Sequence, residues 1–138
     1  SQGSVWLVHG PISNSSSLGG ADALFNGVAG GDLLGFQATA PDFDGDGRQD
    51  LAFSAPGTSW GFNNDGAIFL FYGGTLSGSY PLSNADMVFS GEAADNALST
   101  LTVAGDVDRD GTEDLLMGSA HYGSSSTGRA YLFLGAGW

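Results

Sequence analysis

Asp42-Phe43-Asp44-Gly45-Asp46-Gly47-Arg48-Gln49-Asp50 decides the fold, and it returns as Asp106-Val107-Asp108-Arg109-Asp110-Gly111-Thr112-Glu113-Asp114. In each copy four carboxylates stand at loop positions 1, 3, 5 and 9, with glycine at position 6. Alternate residues of a tight loop point inward, so positions 1, 3 and 5 converge on one hard cation. Position 7 (Arg48 or Thr112) adds a backbone carbonyl, and position 9 closes the shell. The glycine allows a turn in which a Cβ would clash. Carboxylate and carbonyl oxygens suit Ca²⁺, and neither loop holds a thiol or an imidazole.

A helix–loop–helix calcium site requires a bidentate Glu at position 12 and a helix on each flank. Position 12 is Phe53 in one copy and Met117 in the other. The flanks Leu51-Ala52-Phe53 and Leu115-Leu116-Met117 are short apolar runs, which read as buried strands. The expectation is therefore two strand–loop–strand sites. Asp42, Asp44, Asp46, Asp50 and the carbonyl of Arg48 form one; Asp106, Asp108, Asp110, Asp114 and the carbonyl of Thr112 form the other. The alternative is a pair of metal-free Asp/Gly turns, in which clustered carboxylates would repel one another.

Charge narrows the partners. The 138 residues carry a formal charge of −12 with only three basic residues, Arg48, Arg109 and Arg129. Nothing here neutralises a phosphate backbone, so nucleic acid and anionic membrane surfaces are not expected partners. Positions 1, 3, 5 and 9 of the two loops supply eight of the fifteen acidic residues, and two Ca²⁺ would bring −12 to −8. Stability should then depend on calcium. Cysteine is absent, so no disulfide framework exists to report on redox compartment. No apolar run is long enough to span a bilayer. Millimolar calcium outside cells fills weak sites, which favours an extracellular, cell-surface or periplasmic setting. The chain begins at Ser1 rather than Met, which reads as a processed, excised or engineered product. Asn14-Ser15-Ser16 fits a glycosylation acceptor.

Aligning the loops, 64 residues apart, exposes a repeat of the whole chain. Leu34–Ala40 and Leu98–Ala104 precede the loops. Leu51–Pro56 and Leu115–His121 follow them. Upstream, Leu24-Phe25-Asn26-Gly27 matches Val88-Phe89-Ser90-Gly91, and a fourth element occurs three times, as Val5–Gly10, Ile68–Gly73 and Tyr131–Gly135. Four short β-type runs per unit, separated by Gly, Ser, Asn and Pro, point to β-propeller blades. A sandwich does not explain the repeat, and a calcium-binding β-roll uses a shorter one.

The run from Leu34-Gly35-Phe36 through Asp42–Asp50 and Ser54-Ala55-Pro56 to Gly66–Phe71 resembles an FG-GAP repeat. Such repeats build the propeller of integrin alpha subunits, that of glycosylphosphatidylinositol-specific phospholipase D, and many bacterial surface proteins. The second copy departs at Ser99, at Ser119-Ala120-His121 and at Arg109, whose side chain points away from the metal in such loops. The resemblance implies an all-β chain whose blades run from inner strand A to outer strand D, with the calcium loop joining A to B. Strand A falls at about 34–41 and 98–105, B at about 50–55 and 114–119, C at about 4–9, 67–72 and 130–134, and D at about 22–27 and 86–91. Residues 1–138 form one segment: repeat one at about 4–66, repeat two at about 67–129, and an extra strand at about 130–135.

About two four-stranded antiparallel blades per chain cannot close a propeller, which takes roughly four to eight. Completion would come from neighbouring blades of a longer parent, or from three or four copies closing a ring by strand exchange. The expected function is a non-enzymatic, calcium-stabilised scaffold for protein binding or adhesion, with ligands on the face of the B–C and D–A loops. The alternatives are a segment supporting a separate catalytic domain and a lectin-like module. Trp60 and Phe62, in the Gly57–Gly66 loop, would offer a binding surface or pack on the neighbouring blade, and Trp6, inside a strand, reads as core. Trp138 is a further candidate for a sugar-stacking platform. His9 reads as structural on a strand and His121 as a turn residue. No Gly-x-Ser-x-Gly elbow accompanies His121 and the serines at 124–126, so hydrolase chemistry is not expected.

Overall fold

The computed structural model of the chain describes residues 1–12, 17–123 and 125–136. Asn14, Trp138 and parts of the serine-rich stretches lie outside them. The described residues form ten strands, two 3-10 turns and no α-helix. The strands are β1 (Ser4–Leu7), β2 (Ala23–Asn26), β3 (Ala38–Thr39), β4 (Leu51–Ala55), β5 (Ala67–Phe71), β6 (Gly78–Pro81), β7 (Met87–Ser90), β8 (Thr100–Gly105), β9 (Asp114–Ser119) and β10 (Arg129–Phe133).

One complete blade lies at the centre, with strands in the order β3-β4-β5-β7, all antiparallel. These are the expected A, B, C and D. On one side stands β8-β9-β10, an A-B-C blade; on the other stand β1 and β2, a C–D pair. Ala67-Ile68-Phe69-Leu70-Phe71 is buried on both faces because β5 is covered by a neighbouring sheet on each side. Its odd residues join Phe25, Leu34, Phe53 and Leu82 in one core, and Ile68 and Leu70 join Phe43, Leu98, Leu115 and Met117 in the other. This alternation follows from the period of two along a strand. The two apolar cores are therefore the two joints between successive blades.

Three details differ from the sequence reading. Strand A of the central blade shrinks to Ala38–Thr39, because Leu33 and Gly35 both adopt left-handed backbone and the chain turns there, with Leu34 driven into the core. Trp6 is not core: Val5 and Leu7 face the first joint, and the alternation sends Trp6 to the other side, 41% exposed. His9 lies beyond the end of β1, exposed, with its N–H donating to the Asp22 carboxylate at 2.7 Å.

β6 was not legible in the sequence at all. It leaves the C–D connection of the central blade and pairs in parallel with β2 of the preceding one, Gly78 opposite Ala23 and Pro81 opposite Asn26. Tyr80 stacks on Phe25 with ring centroids 5.2 Å apart, and Leu82, at the start of the following 3-10 turn, is wholly buried. The matching turn one repeat earlier begins at Leu18, which is 58% exposed. Leu82→Ala should cost about 2–5 kcal/mol, as buried leucine truncations do. Leu18→Ala should stay within about 0.5 kcal/mol, as surface changes do. Urea unfolding of the two variants compares them, and equal costs would show that the connection contributes nothing specific to the joint.

Candidate metal centres and the opposite loop face

Both Asp loops join an A strand to a B strand, β3 to β4 and β8 to β9, so both lie at the same end of the stacked blades. Each loop is organised from its ninth position. The Asp50 carboxylate accepts from Phe43 N–H at 2.9 Å and from Gly73 N–H, just past β5, at 2.7 Å. The Asp114 carboxylate repeats this with Val107 N–H at 2.6 Å and Gly135 N–H, just past β10, at 2.9 Å. One side chain thus ties together the start of its loop, strand B and the end of strand C. Both aspartates are fully buried, and burial pushes the Asp50 carboxyl above its usual range against the opposing pull of its N–H donors.

The remaining positions curl inward. In the first loop Gly47 N–H donates to Asp42, Asp46 N–H to Asp44 and Arg48 N–H to Asp46. In the second, Gly111 and Asp110 N–H both donate to Asp106. Gly47 and Gly111 sit at φ of +85° and +97°, the left-handed backbone that position 6 was expected to need. Arg109 adopts φ of +66° where the first loop has Gly45 at +74°, so the turn is kept at some strain without glycine.

In the first loop one carboxylate oxygen from each of Asp42, Asp44 and Asp46 lies within 4.8 Å of the others, and in the second the same holds for Asp106, Asp108 and Asp114. Asp50 stands apart from the first trio, with both its oxygens held by backbone N–H groups. Asp110 stands apart from the second, because its carboxylate takes the Thr112 hydroxyl at 2.5 Å and the Thr112 N–H at 2.8 Å, which holds its pKa below the usual range. Oδ1 of Asp42 is buried with no hydrogen-bond partner. A buried carboxylate oxygen without a donor is what a cation ligand leaves behind, and the oxygen-only donor set fits a hard divalent ion such as Ca²⁺.

The two loops also touch, which the sequence did not reveal. Glu113, at position 8 of the second loop, accepts from Asp42 N–H at 2.8 Å, and its own N–H donates to the Asp42 carbonyl at 3.0 Å. Ala136 N–H donates to the Phe43 carbonyl at 3.1 Å. The first ligand position of one loop is thus held by the other blade.

At the opposite end, Asp65 is fully buried and accepts from the N–H groups of Trp60, Gly61 and Phe62 at 2.8–2.9 Å. This one carboxylate shapes the B–C loop so that Trp60 and Phe62 stay 44% and 54% exposed. Trp60 leans edge-on against Phe69 of its own blade, 5.0 Å between centroids, rather than on a neighbouring blade. Two clefts open between a D–A loop and the following B–C loop. One, of about 350 Å³, is lined by residues including Asp32 and Trp60; its repeat counterpart, of about 590 Å³, is lined by residues including Asn96, His121 and Tyr122. His121 is thus an exposed turn residue, as expected.

Glu113→Ala leaves the Asp42 N–H without its acceptor and should cost about 1 kcal/mol. Hydrogen exchange at the Asp42 amide should quicken in the same variant. An unchanged Asp42 amide would mean that the loops are not held together through Glu113.

The FG-GAP repeat family matches residues 34–71 and 98–133, the two A-B-C units including both Asp loops. Integrin alpha-PS5 of Drosophila melanogaster is 30% identical over 114 residues, 82% of this chain but only 11% of the relative. The chain therefore spans about a tenth of the length of that curated relative. With three stacked all-β blade sheets and a repeat matched strand for strand, this chain belongs to the FG-GAP repeat family and forms blades of an integrin alpha-like β-propeller.

Proposed function

We propose that the chain is a calcium-stabilised, non-enzymatic propeller scaffold for protein binding or adhesion at the cell surface or outside the cell. The observation that carries the reading is the pair of repeat-matched loops, each with three converging carboxylates at the inner corner of an FG-GAP blade. Each ion would be held by Asp42, Asp44, Asp46 and Asp50 with the Arg48 carbonyl, or by Asp106, Asp108, Asp110 and Asp114 with the Thr112 carbonyl, two per chain. Asp50 would join the other ligands by turning an oxygen off its present donor, and Asp110 by turning its second oxygen toward the ion. The ion neutralises the clustered charge and fixes the A–B corner.

The opposite loop face is the binding surface in this reading. Trp60 and Phe62 are held outward by a buried aspartate, and exposed aromatics on a rigid loop are the usual anchors of a protein interface. The resemblance to an integrin alpha chain supports a protein ligand and a cell-surface location. A Trp60→Ala variant should lose binding to a protein ligand found by screening. Trp60-dependent binding to a glycan array instead would mean a carbohydrate-binding module.

Further blades complete the propeller in this reading, from three or four copies of the chain or from a longer parent. Two observations support it. The outward side of the β8-β9-β10 sheet exposes Leu116 and Leu132, and an apolar groove of about 300 Å³ runs beside β1, lined by residues including Trp6, Leu7, Ala38 and Phe53. Light scattering should give a mass of three or four chains in calcium if copies close the ring. A monomer at all concentrations would assign the missing blades to a longer parent.

Calcium added to chelator-stripped protein should raise the melting temperature, and Asp46→Ala with Asp110→Ala should remove most of that rise. A rise unchanged in the double variant would refute the ligand assignment.

A further inference from the structure

The first joint between blades carries a device that the second lacks among the described residues. At the first joint, β6 lies in parallel along the outer edge of β2, with Gly78 N–H donating to the Asp22 carbonyl at 2.8 Å. Tyr80 and Leu82 then pack on Phe25, Leu34, Phe69 and Phe71. The repeat counterpart of β2 (Ala23–Asn26) is β7 (Met87–Ser90), 64 residues on, strand for strand. β7 pairs with β5 on one side only; among the described residues its outer edge has no strand partner.

The side chains at the second joint match as closely. Phe25 and Phe71 meet with ring centroids 4.8 Å apart and planes at 60°; their counterparts Phe89 and Phe133 meet at 4.5 Å and 53°. Leu34 corresponds to Leu98 and Phe69 to Tyr131. Where Tyr80 and Leu82 cover the first set, the second set lines an open cavity of about 270 Å³, bounded by Phe89, Leu98, Tyr131 and Phe133 among others. Phe71 is 2% exposed and Phe133 is 37% exposed. The Tyr131 hydroxyl is buried with no hydrogen-bond partner.

We propose that the outer edge of β7 and the cavity beside Phe89 and Phe133 are a docking site for the C–D connecting segment of another FG-GAP blade. That segment enters as a parallel strand and presents a tyrosine and a leucine two residues apart, as Tyr80 and Leu82 do. Backbone hydrogen bonds along β7 would supply affinity, and the aromatic–leucine pair would supply register, the division of labour seen in β-strand addition. The occupant is argued from continuity: it extends to the second joint the contact that the chain already makes at the first. Edge strands left open pair with whatever strand is offered, so a specific occupant also protects the blade from nonspecific pairing. The proposal rests on the blade architecture and not on the calcium reading.

The test is a chain continued from Gly135 by a copy of Gly74–Ala85 in place of residues 136–138. Gly135 stands at the end of β10 as Gly73 stands at the end of β5, so the copy starts in register. Tethering holds the segment near its site at high effective concentration. Amide exchange at Met87–Ser90 should slow at least about tenfold, and Phe89 and Phe133 should become shielded from solvent in aromatic NMR spectra. The same extension carrying Leu82→Asp in the copy should lose most of that protection while amide protection in β4 and β5 is kept. Unchanged exchange at β7 in the extended chain, or equal protection with the aspartate copy, would overturn the proposal.

Discussion

The hydrogen bonds of Asp50 and Asp114 hold the rest of the structure in place. Each buried carboxylate binds the N–H at the start of its own loop and a glycine N–H at the end of strand C. A loop of clustered negative charge is thereby pinned to the inner corner of a blade, and the B and C strands are closed at the same point. The cost of burying these carboxylates is offset by N–H donors and, in the reading advanced above, by a divalent ion beside them. Glu113 extends the arrangement across blades, because it grips the backbone of Asp42 in the neighbouring loop.

Blade stacking then follows from the period of two in β4 and β5. Alternate residues feed two separate cores, so the central blade packs on a neighbour at each face. Phe25, Phe53 and Phe71 cluster at the first joint, with Tyr80 laid over them by β6. The same geometry recurs at the second joint as far as Phe89 and Phe133. At the opposite end, the buried Asp65 carboxylate holds the backbone of the loop that carries Trp60 and Phe62.

Most of the blade was legible in the sequence because the repeat and the Asp loops constrain it so tightly. The spacing of carboxylates and glycine placed both loops, the short apolar runs on their flanks placed β4 and β9, and the element repeated at Ile68–Gly73 and Tyr131–Gly135 placed β5 and β10. The misses have physical causes. β6 is polar and contains glycine and proline, so nothing in Gly78-Ser79-Tyr80-Pro81 signals a strand; it pairs only because β2 offers an edge and Phe25 a stacking surface. Trp6 looked like core because an apolar strand residue does not disclose which face it takes. Spacing placed a carboxylate at the ninth loop position but could not reveal that Asp50 and Asp114 also accept backbone N–H groups from the start of the loop and the end of strand C. The Glu113–Asp42 contact is long-range and leaves no local signal.

Calorimetric titration of the chelator-stripped chain with calcium tests the central claim most directly. Two ions should bind per chain, one in each Asp loop. Asp44→Ala should abolish one site and leave the other. Binding of no calcium at millimolar concentration, or an unchanged stoichiometry in the Asp44→Ala chain, would contradict the account.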